Sequence, residues 1–153
     1  MTGPTSDLLR QAPRSDFLRE AQERGYIHQV TDAAPLDAKL RAGVVTAYIG
    51  FDCTADSLHV GHLLSIMLLR LFQRTGHRPV ALIGGGTTKV GDPSGKDEAR
   101  QLLTEDIIEA NKAGIRRSFE SFLDFAPGKA MMLDNAAWLD ELRYIPFLRD
   151  VGR

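Results

Sequence analysis

His59-Val60-Gly61-His62 is the segment whose residue types and spacing point most directly to chemistry. It follows a short β-branched and aromatic run and opens a long apolar one, so it falls where a strand gives way to a helix. Two imidazoles three residues apart share one face of a first helical turn. The start of a helix presents unpaired N–H groups and a partial positive charge, and both favour phosphate. Gly61 leaves room for a ligand to approach the backbone. A polyphosphate held from the helix axis and by two side chains is one reading. Histidines that only cap the helix or line a polar cavity are the other. A metal site is not expected, because no third ligand stands at a familiar spacing and Cys53 belongs to no zinc motif.

A second candidate is the run Gly84-Gly-Gly-Thr-Thr-Lys-Val-Gly-Asp-Pro-Ser-Gly-Lys96, between an apolar strand and a helix. Open α/β sheets bind ligands at such places. The run fits neither phosphate template. A P-loop needs Ser or Thr after its Gly-Lys pair, where this chain has Asp97, and glycine where it has Val90. A dinucleotide fingerprint starting at Gly84 would need glycine in place of Lys89. Alone, the run reads as a flexible turn started by Asp92-Pro93. Asp52, at a strand's carboxyl end, suits a ribose hydroxyl or a turn start. Thr54 suits a phosphate or a helix cap. Tyr48 and Trp138 read as packing residues, and Arg116-Arg117 as a solvated helix face.

Those residues need a frame. Ser15-Asp16-Phe17 reads as a capped helix start that stops near Gly25. A short helix follows from Asp32, with Pro35 in its first turn, to about Gly43. Val44–Phe51 reads as a buried strand. After a polar loop from Asp52 to Ser57, the segment from Leu58 to Gln73 is apolar nearly all round, which predicts a helix buried on more than one side, with Gly76 as its C-cap. Pro79–Ile83 is a second strand that enters a loop with five glycines between Gly84 and Gly95. Thr104 caps a helix to about Phe122 with Ile107, Ile108, Ile115 and Phe119 on one face. Ala130–Leu133 is a third strand, and Trp138–Leu142 and Tyr144–Val151 are short helices. Alternation of strands with long crossovers predicts right-handed βαβ units and an α/β fold with a Rossmann-like parallel sheet. Three strands are few for such a sheet, so the order reads as the first part of a larger domain: a helical segment over 1–43, then 44–153.

Composition fits this frame. The 153 residues carry 43% hydrophobic and 25% charged side chains and a net charge of -1. That excludes a disordered chain and a dedicated nucleic-acid-coating surface. One cysteine excludes a disulfide scaffold and suits a reducing cytoplasm. No signal peptide and no apolar run of about 18 residues is visible, so no membrane partner is expected.

The run Tyr48-Ile-Gly-Phe-Asp-Cys-Thr-Ala-Asp-Ser-Leu-His-Val-Gly-His62 resembles the first signature of class I aminoacyl-tRNA synthetases, in the form found in bacterial tyrosyl-tRNA synthetases. Val90-Gly-Asp-Pro-Ser-Gly-Lys96 with Arg100 is similar to the next hallmark of that family. Phe147-Leu-Arg-Asp-Val-Gly-Arg153 resembles it too. The likeness extends from about Gly25 and covers roughly the first third of such an enzyme. It implies activation of L-tyrosine by ATP to tyrosyl-adenylate, with Mg2+ accompanying the nucleotide, then transfer to tRNA(Tyr) by a cytoplasmic homodimer. It implies that Thr54 and His59 contact the departing pyrophosphate, and that His62 sits nearer the α-phosphate and ribose. Asp52 would face the adenylate, with Gly61 and Lys96 also at the nucleotide. Tyr48 would bind the substrate phenol and Asp92 its ammonium. Val60 and Cys53 depart from the commoner isoleucine and proline. The family's later substrate helix, Lys-Met-Ser-Lys-Ser loop and RNA-binding parts are not in this segment, so the chain alone is expected to be inactive. A module derived from the family that binds nucleotide or a partner without catalysis is the alternative, as is a nucleotidyltransferase for another acceptor.

Overall fold

The computed structural model describes residues 12–90 and 103–152. Two helices, α1 (Asp16–Glu23) and α2 (Ala33–Ala42), precede β1 (Thr46–Asp52), α3 (Val60–Arg74) and β2 (Arg78–Gly84). Then come α4 (Gly85–Val90), α5 (Glu105–Glu120), β3 (Met131–Asp134), α6 (Ala136–Leu139) and α7 (Tyr144–Val151). The strands form one parallel sheet in the order β1-β2-β3. Asp52 lies opposite Gly84, and Ile83 opposite Asp134, so the carboxyl ends of all three strands open at the same side. The expected parallel α/β sheet is therefore the observed one.

Local chemistry explains most boundaries. Thr104 caps α5 by accepting a hydrogen bond from the Ile107 N–H. Gly25 and Gly76 take positive φ just beyond α1 and α3, where an L side chain would be strained. Ser15 stands at the N-cap of α1, yet its side chain makes no cap bond. Instead Asp37 of α2 accepts from the N–H groups of Arg14 (3.1 Å) and Ser15 (2.8 Å). Burial pushes the Asp37 carboxyl up, but those bonds and Arg41 outweigh it and leave the group below its ordinary value.

The main core joins Phe51 and Cys53 of β1's end, Ile66 of α3, Ala81 of β2, and Ile115 and Phe119 of α5. Phe51 meets Phe119 edge-on, with ring centroids 4.8 Å apart. A smaller cluster of Leu18, Leu40 and Phe72 fixes α1 and α2 to α3. His77 packs beside Phe72, and its Nδ1 accepts from the Val45 N–H at 3.3 Å; burial lowers its pKa and keeps it neutral.

Several expectations change. β1 is mostly exposed, because it is an edge strand whose outer side and one face have no neighbour among the described residues; β2 is the buried strand. The first turns of α3 are bare on one side, with Val60 85% and Leu64 64% exposed, while Ile66, Leu69, Leu71 and Phe72 are buried. Ile107 is also exposed and lies off the buried face of α5. Residues 85–90 are helical rather than part of an open loop, because side chains from β3's end hold their N–H groups. The short helix after β3 starts two residues earlier than expected, at Ala136, and Trp138 within it is half exposed.

Candidate active site

The strand β1 alternates its side chains, as any strand does. Ile49, Phe51 and Cys53 turn toward the main core. Tyr48, Gly50 and Asp52 therefore share the opposite face, and all three are exposed. Tyr48 stands four residues before Asp52, about 13 Å along an extended strand. Nothing lies within 4 Å of where a Cβ of Gly50 would be, so the surface between them is open.

Beyond Asp52 the chain loops through Thr54, which is exposed, to His59 at the N-cap of α3. The His59 ring folds over Gly61, and its Nδ1 accepts from the Gly61 N–H at 3.0 Å. A Cβ on residue 61 would sit 2.7 Å from the His59 ring. The space at Gly61, expected to admit a ligand, is thus filled by the capping imidazole. An accepting Nδ1 places the ring proton of His59 on Nε2, which has no acceptor among the described residues. His62 lies beside His59 with ring centroids 4.0 Å apart and 6.1 Å from the ring of Phe51. Burial first, and then the neighbouring His59 imidazole, lower the His62 pKa below its ordinary value of 6.5. His62 is accordingly neutral at pH 7, and its buried Nδ1 has no hydrogen-bond partner among the described residues.

Four residues that drew no functional reading in the sequence hold this corner together. The Thr88 Oγ1 accepts from the Cys53 N–H at 3.0 Å. The Asn111 Nδ2 donates to the Cys53 carbonyl at 2.8 Å. The Thr87 hydroxyl donates to Asp52 Oδ1 at 3.1 Å. Asn135 Oδ1 accepts from the Gly86 N–H at 2.8 Å and so starts α4. Only the Gly-Gly-Gly-Thr-Thr cluster hinted at any of them, and it read as a turn. Asp134 accepts from the N–H groups of Gly85 and Ala136 and is paired with Lys112. Burial pushes both members of that pair toward neutrality, but their mutual bond prevails and keeps both charged. The Cys53 thiol, fully buried, is pushed up to about 11 by burial and then by the nearby Asp134 charge. It is a packing group, not a nucleophile.

The structure thus gathers Asp52, Thr54, His59, Gly61 and His62 at one end of β1, with Tyr48 on the open face leading to them. Asp92 and Lys96 lie outside the described residues, as does Arg100. No grouping of three His, Cys, Asp or Glu side chains among the described residues makes a metal centre.

Parallel strands opening at a shared carboxyl end place this chain among the open α/β proteins that take ligands there. Within that class it belongs to the tRNA synthetases class I (W and Y), whose family model matches residues 40–153. The chain is 68% identical over 130 residues to the tyrosine–tRNA ligase of Xanthobacter autotrophicus, spanning 85% of this chain and 31% of that protein. It is 63% identical over 144 residues to the Rhodospirillum rubrum ligase, spanning 93% and 34%. A C-terminally truncated mitochondrial tyrosyl-tRNA synthetase of Aspergillus nidulans superposes with a TM-score of 0.74 at 28% identity, covering 97% of this chain and 45% of that one. The chain spans about a third of the length of the curated relatives it matches.

Proposed function

We propose that this chain is the ATP-binding part of a tyrosine–tRNA ligase. The carrying observation is His59 capping α3 with the His62 ring beside it, directly after the loop from Asp52 and Thr54 at the end of β1, in a chain 68% identical to a protein named tyrosine–tRNA ligase. In the first step a tyrosine carboxylate oxygen attacks the α-phosphorus of ATP. The new P–O bond forms as the bond to the β-phosphate's bridging oxygen breaks, and pyrophosphate leaves. In the second, a terminal hydroxyl of tRNA(Tyr) attacks the adenylate's carbonyl and AMP leaves.

Charge builds on the departing pyrophosphate, so donors already aimed at it lower the barrier. The His59 Nε2–H and the exposed Thr54 hydroxyl are suited to that task, near the positive end of α3. Neutral His62 offers a hydrogen bond toward the α-phosphate and ribose without adding charge, and Asp52 faces the same adenylate. Tyr48, on the open face of β1, hydrogen-bonds the substrate phenol. Asp92 takes the ammonium, and Lys96 the phosphates. Mg2+ would accompany the nucleotide and offset the charge of its phosphates. The reading extends to a cytoplasmic homodimer and to residues 1–43 as a helical segment ahead of the catalytic domain; the family match from residue 40 supports that division.

The test uses the full-length protein that carries this segment. It should exchange pyrophosphate into ATP with tyrosine and with no other amino acid at a comparable rate. His59→Ala should slow adenylate formation about 10²–10³-fold, the usual loss for one preorganised donor, with little change in tyrosine affinity. No tyrosine-dependent exchange by the wild type would overturn the assignment, and an unchanged rate in the variant would remove His59.

A further inference from the structure

We propose that Thr88 and Asn111 are positioning residues that clamp the main chain of Cys53 and thereby aim Asp52 and Thr54, an inference that rests on the ligase reading above. Thr88 accepts from the Cys53 N–H at 3.0 Å, and Asn111 donates to the Cys53 carbonyl at 2.8 Å. The two bonds are buried, as are both side chains.

Ladder pairing of β1 with β2 ends at Asp52, so Cys53 is the first residue without a strand partner. Its two polar groups are out of reach of water and must be paired from elsewhere. Each belongs to a planar peptide unit. The N–H lies in the plane that links the Cα atoms of Asp52 and Cys53. The carbonyl lies in the plane that links Cys53 and Thr54. Fixing both groups orients both planes, and with them the Cα–Cβ directions of the two flanking side chains. Thr87, adjacent to Thr88, then donates to Asp52 Oδ1 at 3.1 Å and sets the carboxylate itself.

The clamp is anchored in rigid structure. Asn111 rides on the buried face of α5 between Ile108 and Ile115. One turn on, Gly114 lies so close to the loop that a Cβ there would overlap the Asp56 carbonyl. Helix α5 therefore supports the loop at Cys53 through a hydrogen bond and at Asp56 through backbone contact. Neither Thr88 nor Asn111 has to touch a substrate to do this. Holding reacting groups in place is itself a large part of catalysis, and a shift of about 1 Å costs up to 10²-fold.

The test compares Thr88→Val, which keeps the shape and loses the acceptor, with Thr88→Ser, which keeps the hydroxyl, in the full-length protein. Asn111→Ala breaks the other arm. Thr88→Val and Asn111→Ala should each lower kcat for tyrosine-dependent pyrophosphate exchange about 10-fold, with KM for tyrosine within twofold. Thr88→Ser should stay within twofold of wild type in both. A second readout needs no activity: maleimide labelling of Cys53, followed by mass spectrometry, should quicken at least 10-fold in Thr88→Val and not in Thr88→Ser. Equal losses in Val and Ser, or unchanged kcat in Val and Ala, overturn the positioning role while wild-type exchange leaves the ligase reading intact. Unchanged labelling overturns the clamp itself, whether or not the wild type shows exchange.

Discussion

At the scale of single residues, what matters is which polar atoms are free. His59 uses Nδ1 for its own helix and keeps Nε2–H to donate, while burial, and then the imidazole beside it, hold His62 below its ordinary pKa. Tyr48 makes no comparable commitment among the described residues and is 68% exposed, on the face that leads to Asp52. In the full-length protein, Tyr48→Phe should therefore reduce discrimination of tyrosine over phenylalanine while leaving adenylate chemistry largely intact. Tyrosyl-tRNA synthetase is itself the standard example of hydroxyl recognition, with discrimination of ~10⁵, a scale that belongs to that example and not to a measurement on this chain. The loss should be partial, by about 10- to 100-fold, if the phenol keeps a second partner downstream; one hydrogen bond accounts for about 1–3 kcal/mol. Activation kinetics with both amino acids measure it, and an unaltered selectivity ratio would take Tyr48 out of the pocket. The placement of these residues could be read in the sequence because strand end, loop and helix start are local patterns. The clamp could not, since Thr88 and Asn111 reach Cys53 from 35 and 58 positions away.

At the scale of elements, the same division holds. Thr104 caps α5 as its type and position indicate, because capping is settled within three residues. Helix α4 could not be foreseen from its glycine-rich start, since glycine is a poor helix former and the compensating acceptors, Asp134 and Asn135, lie on β3's far end. The exposure of β1 was equally hidden: an apolar run states that a strand forms, not whether a neighbour flanks it. The attachment of α1 is likewise non-local and offers a test. Asp37 accepts two backbone N–H bonds across the α1–α2 corner, and its folded pKa is depressed. A depressed carboxyl contributes stability above its unfolded value near 3.8, and that contribution is lost as pH falls through the folded value. Asp37→Asn keeps an acceptor but removes the charge. Hydrogen exchange at the α1 amides of the full-length protein should quicken about fivefold at pH 7, roughly 1 kcal/mol for a partly exposed group. The difference from wild type should shrink once the pH drops below the ordinary carboxyl value. Equal exchange at pH 7 would mean that the Leu18–Leu40–Phe72 packing alone secures α1.

At the scale of the whole molecule, the described residues leave surfaces that a finished domain covers. The outer edge of β1 has unpaired main-chain groups, and Tyr48 and Val44 are each 68% exposed on or beside it. Val60 and Leu64 are exposed at the start of α3, and α7 presents Tyr144, Ile145 and Val151. Parallel strands need cover on both faces, and an open edge pairs readily with another chain. A complete domain has a margin of only about 5–15 kcal/mol, so missing neighbours can consume it. Residues 1–153 made alone should therefore associate, unfold at low temperature without a sharp transition, and fail to charge tRNA(Tyr). Weak binding of ATP should persist, because His59, His62 and the capped start of α3 depend on contacts within the segment. Size-exclusion chromatography, a thermal melt and an aminoacylation assay decide the first three points, and nucleotide titration the fourth. A monomer with a cooperative transition above about 45 °C, the lower range for mesophilic domains, would show that the open edge and the apolar faces do not need covering. Tyrosylation by the isolated segment would show that the phenol and pyrophosphate require no partner beyond the residues gathered at the end of β1.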